Sequence, residues 1–377
     1  MPSLAEAQTR RLAAVRALLD RLELDALVIS RGALKRWLSG FVLLRGEDPA
    51  HGFAGTLLLT RDAQLILADG RYTEQAEAEA PDWTLVHTTR GLARELADLF
   101  AEHHIARCGA EAKMVSHEAW DRTSELAPGT TLVAIDEELV PLRVVKDAVE
   151  LRAIERACSL TDACFAEVQP LIRPGITEQE LTWQLEDLIR HSGAETLSFD
   201  SIVLFGARAA MPHGRPGDTR LEKGQAVLLD FGAQFDGYHS DMTRTVFCGE
   251  PGPDARRWYS LVAEAQVAGE QAVRPGIDGI EVHAAAEAHI EAAGEPAFDH
   301  GLGHGIGLEI HEPPSLSRPN DPDRDRTPLN LGMTFTIEPG IYLPGRIGIR
   351  IEDDYLLSET GLRRLTTSSR DLIVVGQ

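Results

Sequence analysis

The sequence predicts two domains of mixed helix and strand, and three observations lead there. The chain has 377 residues, more than one ordinary core accommodates and about right for two domains of roughly 100–200 residues each. Up to about residue 138, short apolar strands alternate with helical stretches, the rhythm of an α/β layer. Beyond that point the tetrapeptide RPGI occurs at 173–176 and again at 274–277. Each copy leads into a helix and then into a hairpin-like region holding two acids, the pattern of a duplicated unit.

The first domain opens with a charged amphipathic helix to Leu22. Apolar strands follow at 26–30, 55–60, 64–69, 83–87 and 131–136, with helices at 72–80, 92–103 and 116–126 between them. The segment PLRVVKD at 141–147 carries a proline and little periodicity, and a helix rich in Ala, Glu and Arg follows from about 148. The linker is expected there, with domains at 1–138 and 139–377. In the second domain the RPGI copies start helices that run to about His191 and Ala293.

Hydrophobic residues form 43% and charged residues 25% of the chain, the balance of a soluble globular protein. With 37 basic against 59 acidic residues the net charge is −22, which repels phosphate backbones and anionic membrane surfaces. Nucleic acid and membrane are therefore not expected as partners. The first 22 residues show no basic segment leading into an apolar stretch, and no run of 18 apolar residues occurs, so a cytoplasmic location is expected. Cys108, Cys158, Cys164 and Cys248 are few and unpatterned, which points to reduced core thiols.

The chemistry concentrates in the second domain. In QAVLLDFGAQFDGYHSDMTRTVF at 225–247 the dipeptide Asp236-Gly237 supplies positive φ for a two-residue hairpin turn. That turn sets Asp230 opposite Thr243 and Gly232 opposite Asp241, so Asp230 and Asp241 project from one face as diagonal neighbours. Either could be a solvated strand acid, but Asp230 ends the apolar run AVLL, a poor place for an unpaired charge. Glu338 likewise ends the strand MTFTI before Pro339, and Glu352 alternates with apolar residues in GIRIED. Arg350 can neutralise only one of these acids.

HGLGHGIGLEIHE at 300–312 holds three histidines, His300, His304 and His311. Its glycines argue against a helical zinc motif and for close backbone approach to a ligand. A single histidine in such a loop is more often structural; three, together with His213 in MPHG, outweigh that reading. His283 and His289, among alanines and glutamates on a helix, read as surface residues. Four carboxylates and one imidazole, Asp230, Asp241, Glu338, Glu352 and His304, form an oxygen-rich set suited to a pair of hard divalent cations such as Mn²⁺. That chemistry is hydrolytic.

With these motifs in view the sequence resembles the pita-bread dinuclear metallopeptidases, in the branch of Xaa-Pro dipeptidases (prolidases) and aminopeptidase P. PHG at 212–214, LLDFGAQFDGYHSDMTRT at 228–245, HGLGHGIGLEIHE at 300–312, TIEPGIY at 336–342 and GIRIEDD at 348–354 carry it in the second domain. WLSGF at 37–41 and LILADGRYTEQAEAE at 65–79 are similar to the creatinase-type amino-terminal domain, while LRGEDPAHG at 44–52 is longer than the loop expected there. The resemblance implies an α+β fold: a curved antiparallel pita-bread sheet backed by helices, preceded by a smaller α/β domain.

It also implies roles. Asp230, Asp241 and Glu352 would hold one Mn²⁺, and Asp241, Glu352, His304 and Glu338 the other, with Co²⁺ or Zn²⁺ as alternative metals. The two ions would turn a bridging water into hydroxide. Glu338 would shuttle its proton to the leaving nitrogen. His213 and His311 would contact the scissile amide and steady the intermediate. His300 and Arg350 would grip the substrate on its proline side. The implied reaction is hydrolysis of Xaa-Pro bonds in dipeptides or short peptides, by a homodimer. Alternatives are aminopeptidase P activity on longer peptides, a carboxypeptidase-like variant, and a non-catalytic binding module. The last predicts loss of a ligand, and all five ligands are present. Methionine aminopeptidases usually lack such a first domain, and creatinase lacks the metal set.

Overall fold

The computed structural model describes residues 3–43, 54–318 and 328–376, so the 44–52 loop lies outside the described residues. The chain divides into two units, Met1–Arg143 and Val144–Gln377.

The first unit runs α1 (Leu4–Arg21), β1 (Ala26–Ile29), α2 (Gly32–Ser39), β2 (Thr56–Thr60), β3 (Gln64–Ala68), α3 (Thr73–Glu79), β4 (Thr84–His87), α4 (Leu92–Glu102), β5 (Arg107–Ala110), α5 (His117–Leu126), β6 (Thr131–Ala134) and α6 (Asp136–Arg143). Ser3 and Glu6 close a capping box that starts α1. The strands form one sheet, ordered β4-β3-β2-β1-β5-β6, in which β1 is antiparallel to β2 and parallel to β5. Ala26, Val28, Leu58 and Leu67 on one face bury against Leu96, Leu99 and Phe100 of α4.

Three of these elements carry little signal in the sequence. β5 reads RCGA, with no β-branched residue, and is a strand because parallel partners flank it on both sides. α2 is a short helix ended by Gly40 in the left-handed region. α6 contains Pro141, which the sequence assigns to the linker, so the unit extends to Arg143.

The second unit runs α7 (Ala148–Val168), α8 (Glu178–His191), β7 (Thr196–Leu197), β8 (Ile202–Phe205), β9 (Ala226–Phe231), β10 (Ala233–Phe235), β11 (Tyr238–His239), β12 (Met242–Cys248), α9 (Pro253–Ala272) and α10 (Gly279–Ala292). It continues with β13 (Gly303–Gly305), β14 (Glu312–Leu316), β15 (Thr334–Ile337), β16 (Gly340–Leu343), β17 (Ile347–Arg350), β18 (Asp353–Ser358), β19 (Gly361–Arg364) and β20 (Val374–Val375). After each RPGI a side chain caps the helix: Thr177 for α8, in a capping box with Glu180, and Asp278 for α10.

Two sheets carry the site, β20-β12-β9-β8 and β14-β13-β15-β18-β19. In the first, Val227, Leu229 and Phe231 of β9 and Met242 and Val246 of β12 bury against Leu160, Phe165, Leu181, Leu185 and Ile189 of α7 and α8. Alternation along the strand puts Leu228 on the other face, beside Leu204 and Ala209. Asp230 follows Leu228 on that face. The packing of the helices therefore dictates which face the acids occupy. All four cysteines are buried and free.

A candidate metal centre and active site

Asp230 and Asp241 reach the site through one hairpin. Its turn has Asp236 at φ 49° and Gly237 at φ 81°, and Phe235 pairs with Tyr238 across it. One register runs from Gln234↔His239 through to Asp230↔Thr243, which sets Asp241 across from Gly232. A Cβ on Gly232 would lie 1.9 Å from the carbonyl oxygen of Ser240, so only glycine permits the strands to close there. The Asp241 amide donates to Asp354 Oδ2 at 2.9 Å.

The other ligand candidates come from the second sheet. Glu338 follows β15, and its amide donates to Leu302 O at 2.7 Å. The strand expected through Glu352 breaks at Ile351, because the Ile351 amide turns to Pro339 O and the Glu352 amide to Thr243 O at 3.1 Å. β17 thus pairs with β16 and β18 with β15, and Glu352 sits at the exchange of partners, beside β12. His304 lies in the short β13. At Gly303 the space a side chain would need is filled by Thr336 O, 2.0 Å from an ideal Cβ. That glycine serves the approach of two strands, not of a ligand.

These side chains line one cavity of about 460 Å³. Asp230, Asp241, His304, Glu338, Glu352, His213, His300, His311 and Arg350 all face it, together with Phe199, Ile202 and Ile310. Ligand atoms of Asp241, His304 and Glu352 lie within 4.8 Å of one another. His304 Nε2 is 3.5 Å from Asp241 Oδ2 and 3.8 Å from Glu338 Oε1. Its Nδ1 lies 3.0 Å from Gly305 O, a hydrogen bond that needs the proton on Nδ1, so in the neutral ring the Nε2 lone pair faces two carboxylates.

The electrostatics ask for cations. Burial, and then the neighbouring carboxylates, hold Asp241, Glu338 and Glu352 well above the ordinary carboxyl range. Asp230 Oδ1, Asp241 Oδ1 and Glu352 Oε1 are buried with no hydrogen-bond partner among the described residues. Arg350 pairs with Asp230. The remaining oxygens suit hard divalent ions, with the single imidazole completing the set.

The histidines surround this cluster. The His304 and His311 rings meet edge to face with centroids 4.3 Å apart. Partial burial and the neighbouring His304 push His311 down to about 4. Burial, opposed by the hydrogen bond to Gly301, pushes His300 down to about 4 as well. His213 follows the turn at 206–210.

Sequence reasoning missed the partners that hold these groups. Thr243 Oγ1 donates to Glu352 Oε2 at 2.7 Å and accepts from Arg350 Nε at 3.0 Å. Tyr342 Oη accepts from Arg350 Nη1 at 2.8 Å and lies 2.9 Å from His300 Nε2. Both were within reach, since Thr243 faces Asp230 in the predicted register and Tyr342 ends the TIEPGIY motif. Asp354 carried no signal, being one of two adjacent acids after Glu352. His283, read as a surface residue, is buried: its Nδ1 accepts the Leu302 amide at 3.1 Å and its ring meets Phe298. The helix turns it inward beside Val282 and Ala286. His289 is partly buried and lies 3.2 Å from Glu264.

Comparison with known proteins matches both parts of the chain. Residues 152–359 match metallopeptidase family M24, and residues 11–145 match the creatinase/prolidase N-terminal domain. The chain belongs to metallopeptidase family M24, with the pita-bread fold in its second unit, and such a peptidase binds divalent metal. It is 35% identical over 366 residues to the uncharacterized peptidase YqhT of Bacillus subtilis, covering 97% of this chain and 100% of that one. Among solved structures it is similar to an Xaa-Pro dipeptidase from Bacillus anthracis, with TM-score 0.89, 33% identity, and 98% and 100% of the two chains covered. It is also similar to an X-Pro aminopeptidase from Thermotoga maritima, with TM-score 0.84, 35% identity, and coverage of 94% and 99%. No helix among the described residues is long and apolar enough to cross a membrane.

Proposed function

We propose that this protein is a metal-dependent peptidase that hydrolyses Xaa-Pro bonds, with dipeptides as its main substrates. The observation that carries the reading is the convergence of Asp241, Glu338 and Glu352 on His304, in one cavity with Asp230 and its partner Arg350. The similarity to proteins described as Xaa-Pro dipeptidase and X-Pro aminopeptidase supports the substrate class.

Asp230, Asp241, His304, Glu338 and Glu352 would hold two divalent ions, Mn²⁺ foremost. Such ions, when bound, polarise the scissile carbonyl and lower the pKa of a water. Glu338, whose Oε1 lies 3.8 Å from His304 Nε2 in the cavity, takes the proton of the attacking water and delivers it to the departing proline nitrogen. His311, pushed down to about 4, is neutral near pH 7 and donates a hydrogen bond to the carbonyl oxygen as charge develops there, and His213 assists it. Arg350 and His300 form the wall against which the proline end of the substrate rests. A ring of fixed φ loses little freedom on binding there. As in the family branch it resembles, the protein is proposed to act as a homodimer in the cytoplasm.

A length series of Xaa-Pro peptides assayed with Mn²⁺ tests this. Hydrolysis of Xaa-Pro dipeptides in preference to Xaa-Pro-Yaa peptides is expected. Cleavage of the longer peptides with no dipeptide hydrolysis would reassign the protein to aminopeptidase P. Release of carboxyl-terminal residues from peptides lacking proline would overturn the reading altogether.

A further inference from the structure

Lys146 lies in the segment that sequence alone marks as linker, yet its side chain is 1% exposed. Its Nζ donates to Glu312 Oε1 at 2.6 Å and to Val144 O at 3.3 Å. Glu312, 5% exposed at its side chain, also accepts the Glu309 amide on Oε2 at 3.3 Å. The backbone around the lysine is anchored as well: the Lys146 amide donates to Gly332 O at 2.9 Å, and Val145 bridges to Met333.

Glu312 closes the loop that begins at His304. It pairs with Gly305 just where the β13–β14 register shifts. Gly307 packs so closely on it that a Cβ there would lie 2.5 Å from Glu312 Oε1. The loop between them has no regular structure of its own, and its last residue is His311. A buried ion pair adds little net stability, because desolvation offsets attraction; what it supplies is defined geometry. The reaction described above uses neither charge.

We infer that the Lys146–Glu312 pair is a positioning device for His311, fixing the loop that carries this imidazole against His304. The inference rests on the proposed reaction only in giving His311 a substrate to act on. Removing one partner would strand a buried charge, so the informative variant removes both: Lys146→Met with Glu312→Gln. Should that protein fail to fold, Lys146→Gln with Glu312→Gln, which strands neither charge and keeps the acceptor for the Glu309 amide, carries the same test.

The experiment compares the Mn²⁺-loaded wild type, the charge-removed variant, His311→Ala and their combination, by Xaa-Pro hydrolysis and by amide hydrogen exchange of residues 301–312. The charge-removed variant is expected to lose roughly 10–100-fold in kcat, as partners behind functional groups do, with KM and bound metal unchanged. In the His311→Ala background it should lose nothing more, because two changes acting through one group are not additive. Exchange should quicken within 301–312 alone. Independent, multiplicative losses would overturn the inference, and so would unchanged kcat. Were the wild type inactive on Xaa-Pro peptides, the proposed function would fall while exchange still judged the pair: quickening supports it and unchanged exchange refutes it.

Discussion

At the scale of the residue, the site depends on groups that touch no substrate. Thr243 is fully buried and its single hydroxyl serves Glu352 and Arg350 at once. Thr243→Val keeps the shape and removes both hydrogen bonds, so it is expected to cost roughly 10–100-fold in metal affinity or activity. Metal titration alongside turnover checks this, and an unchanged variant would show the hydroxyl to be incidental. Asp241 and His213 should separate cleanly. Asp241→Ala is expected to lose bound metal, because the proposed site has no other acid to take its place. His213→Ala should keep its metal and lose roughly 10²–10⁴-fold in rate, the scale of proton-transfer and hydrogen-bond catalysis. A metal-free His213→Ala protein would place that residue among the ligands.

At the scale of the element, the hairpin of β9 to β12 is the least forgiving part. Its two acids face the cavity only while the register holds, and Gly232 sits where the strands approach most closely. Gly232→Ala must push Ser240 aside, a strain of about 1–3 kcal/mol on the usual scale of overpacking. The same shift moves Asp241, so metal retention should fall together with Tm. Retained metal and an unchanged Tm would mean that the hairpin absorbs the methyl group without moving its acids. The histidine loop differs in kind, since glycines shape it while His283 and the Lys146–Glu312 pair hold its two ends.

At the scale of the whole molecule, the carboxylate cluster couples stability to pH and metal. Asp241, Glu338 and Glu352 have raised folded values. Their contribution is complete below the unfolded value, 4.5 for a glutamate, and is lost as pH rises through the raised values. His300 and His311, lowered from 6.5 to about 4, act in the opposite sense: their contribution is complete above 6.5 and lost as pH falls toward 4. The buried Lys35, lowered to about 8, changes only nearer that pH, and of the other five groups the two histidines no longer change above 6.5. Metal-free protein is therefore expected to lose Tm as pH rises beyond that point. Added Mn²⁺ should raise Tm by an amount that grows with pH, because the ligating form is the deprotonated one. Thermal unfolding with and without chelator is the measurement, and a metal-free Tm that climbs with pH above 6.5 would contradict the account. Chelation should also abolish peptidase activity and Mn²⁺ restore it, with metal analysis near two ions per chain.

The local chemistry of this protein is written in its sequence. The Asp236-Gly237 turn, the period-two alternation of AVLLDF and the side-chain caps after each RPGI are short-range effects, so hairpin, register and helix starts are legible in the residues themselves. The acids stand out for the same reason: charge inside an apolar strand signals compensation whatever the fold. Only the tertiary structure decided what lies behind them. Strand β5 exists through its neighbours rather than its propensity, and His283 is buried because α10 packs on that side. Glu352 belongs to a break between two pairings, and Lys146 is a buried ion-pair partner rather than a linker residue. Each of these depends on groups far apart in the chain, such as Lys146 and Glu312, which no periodicity connects and which only packing brings together.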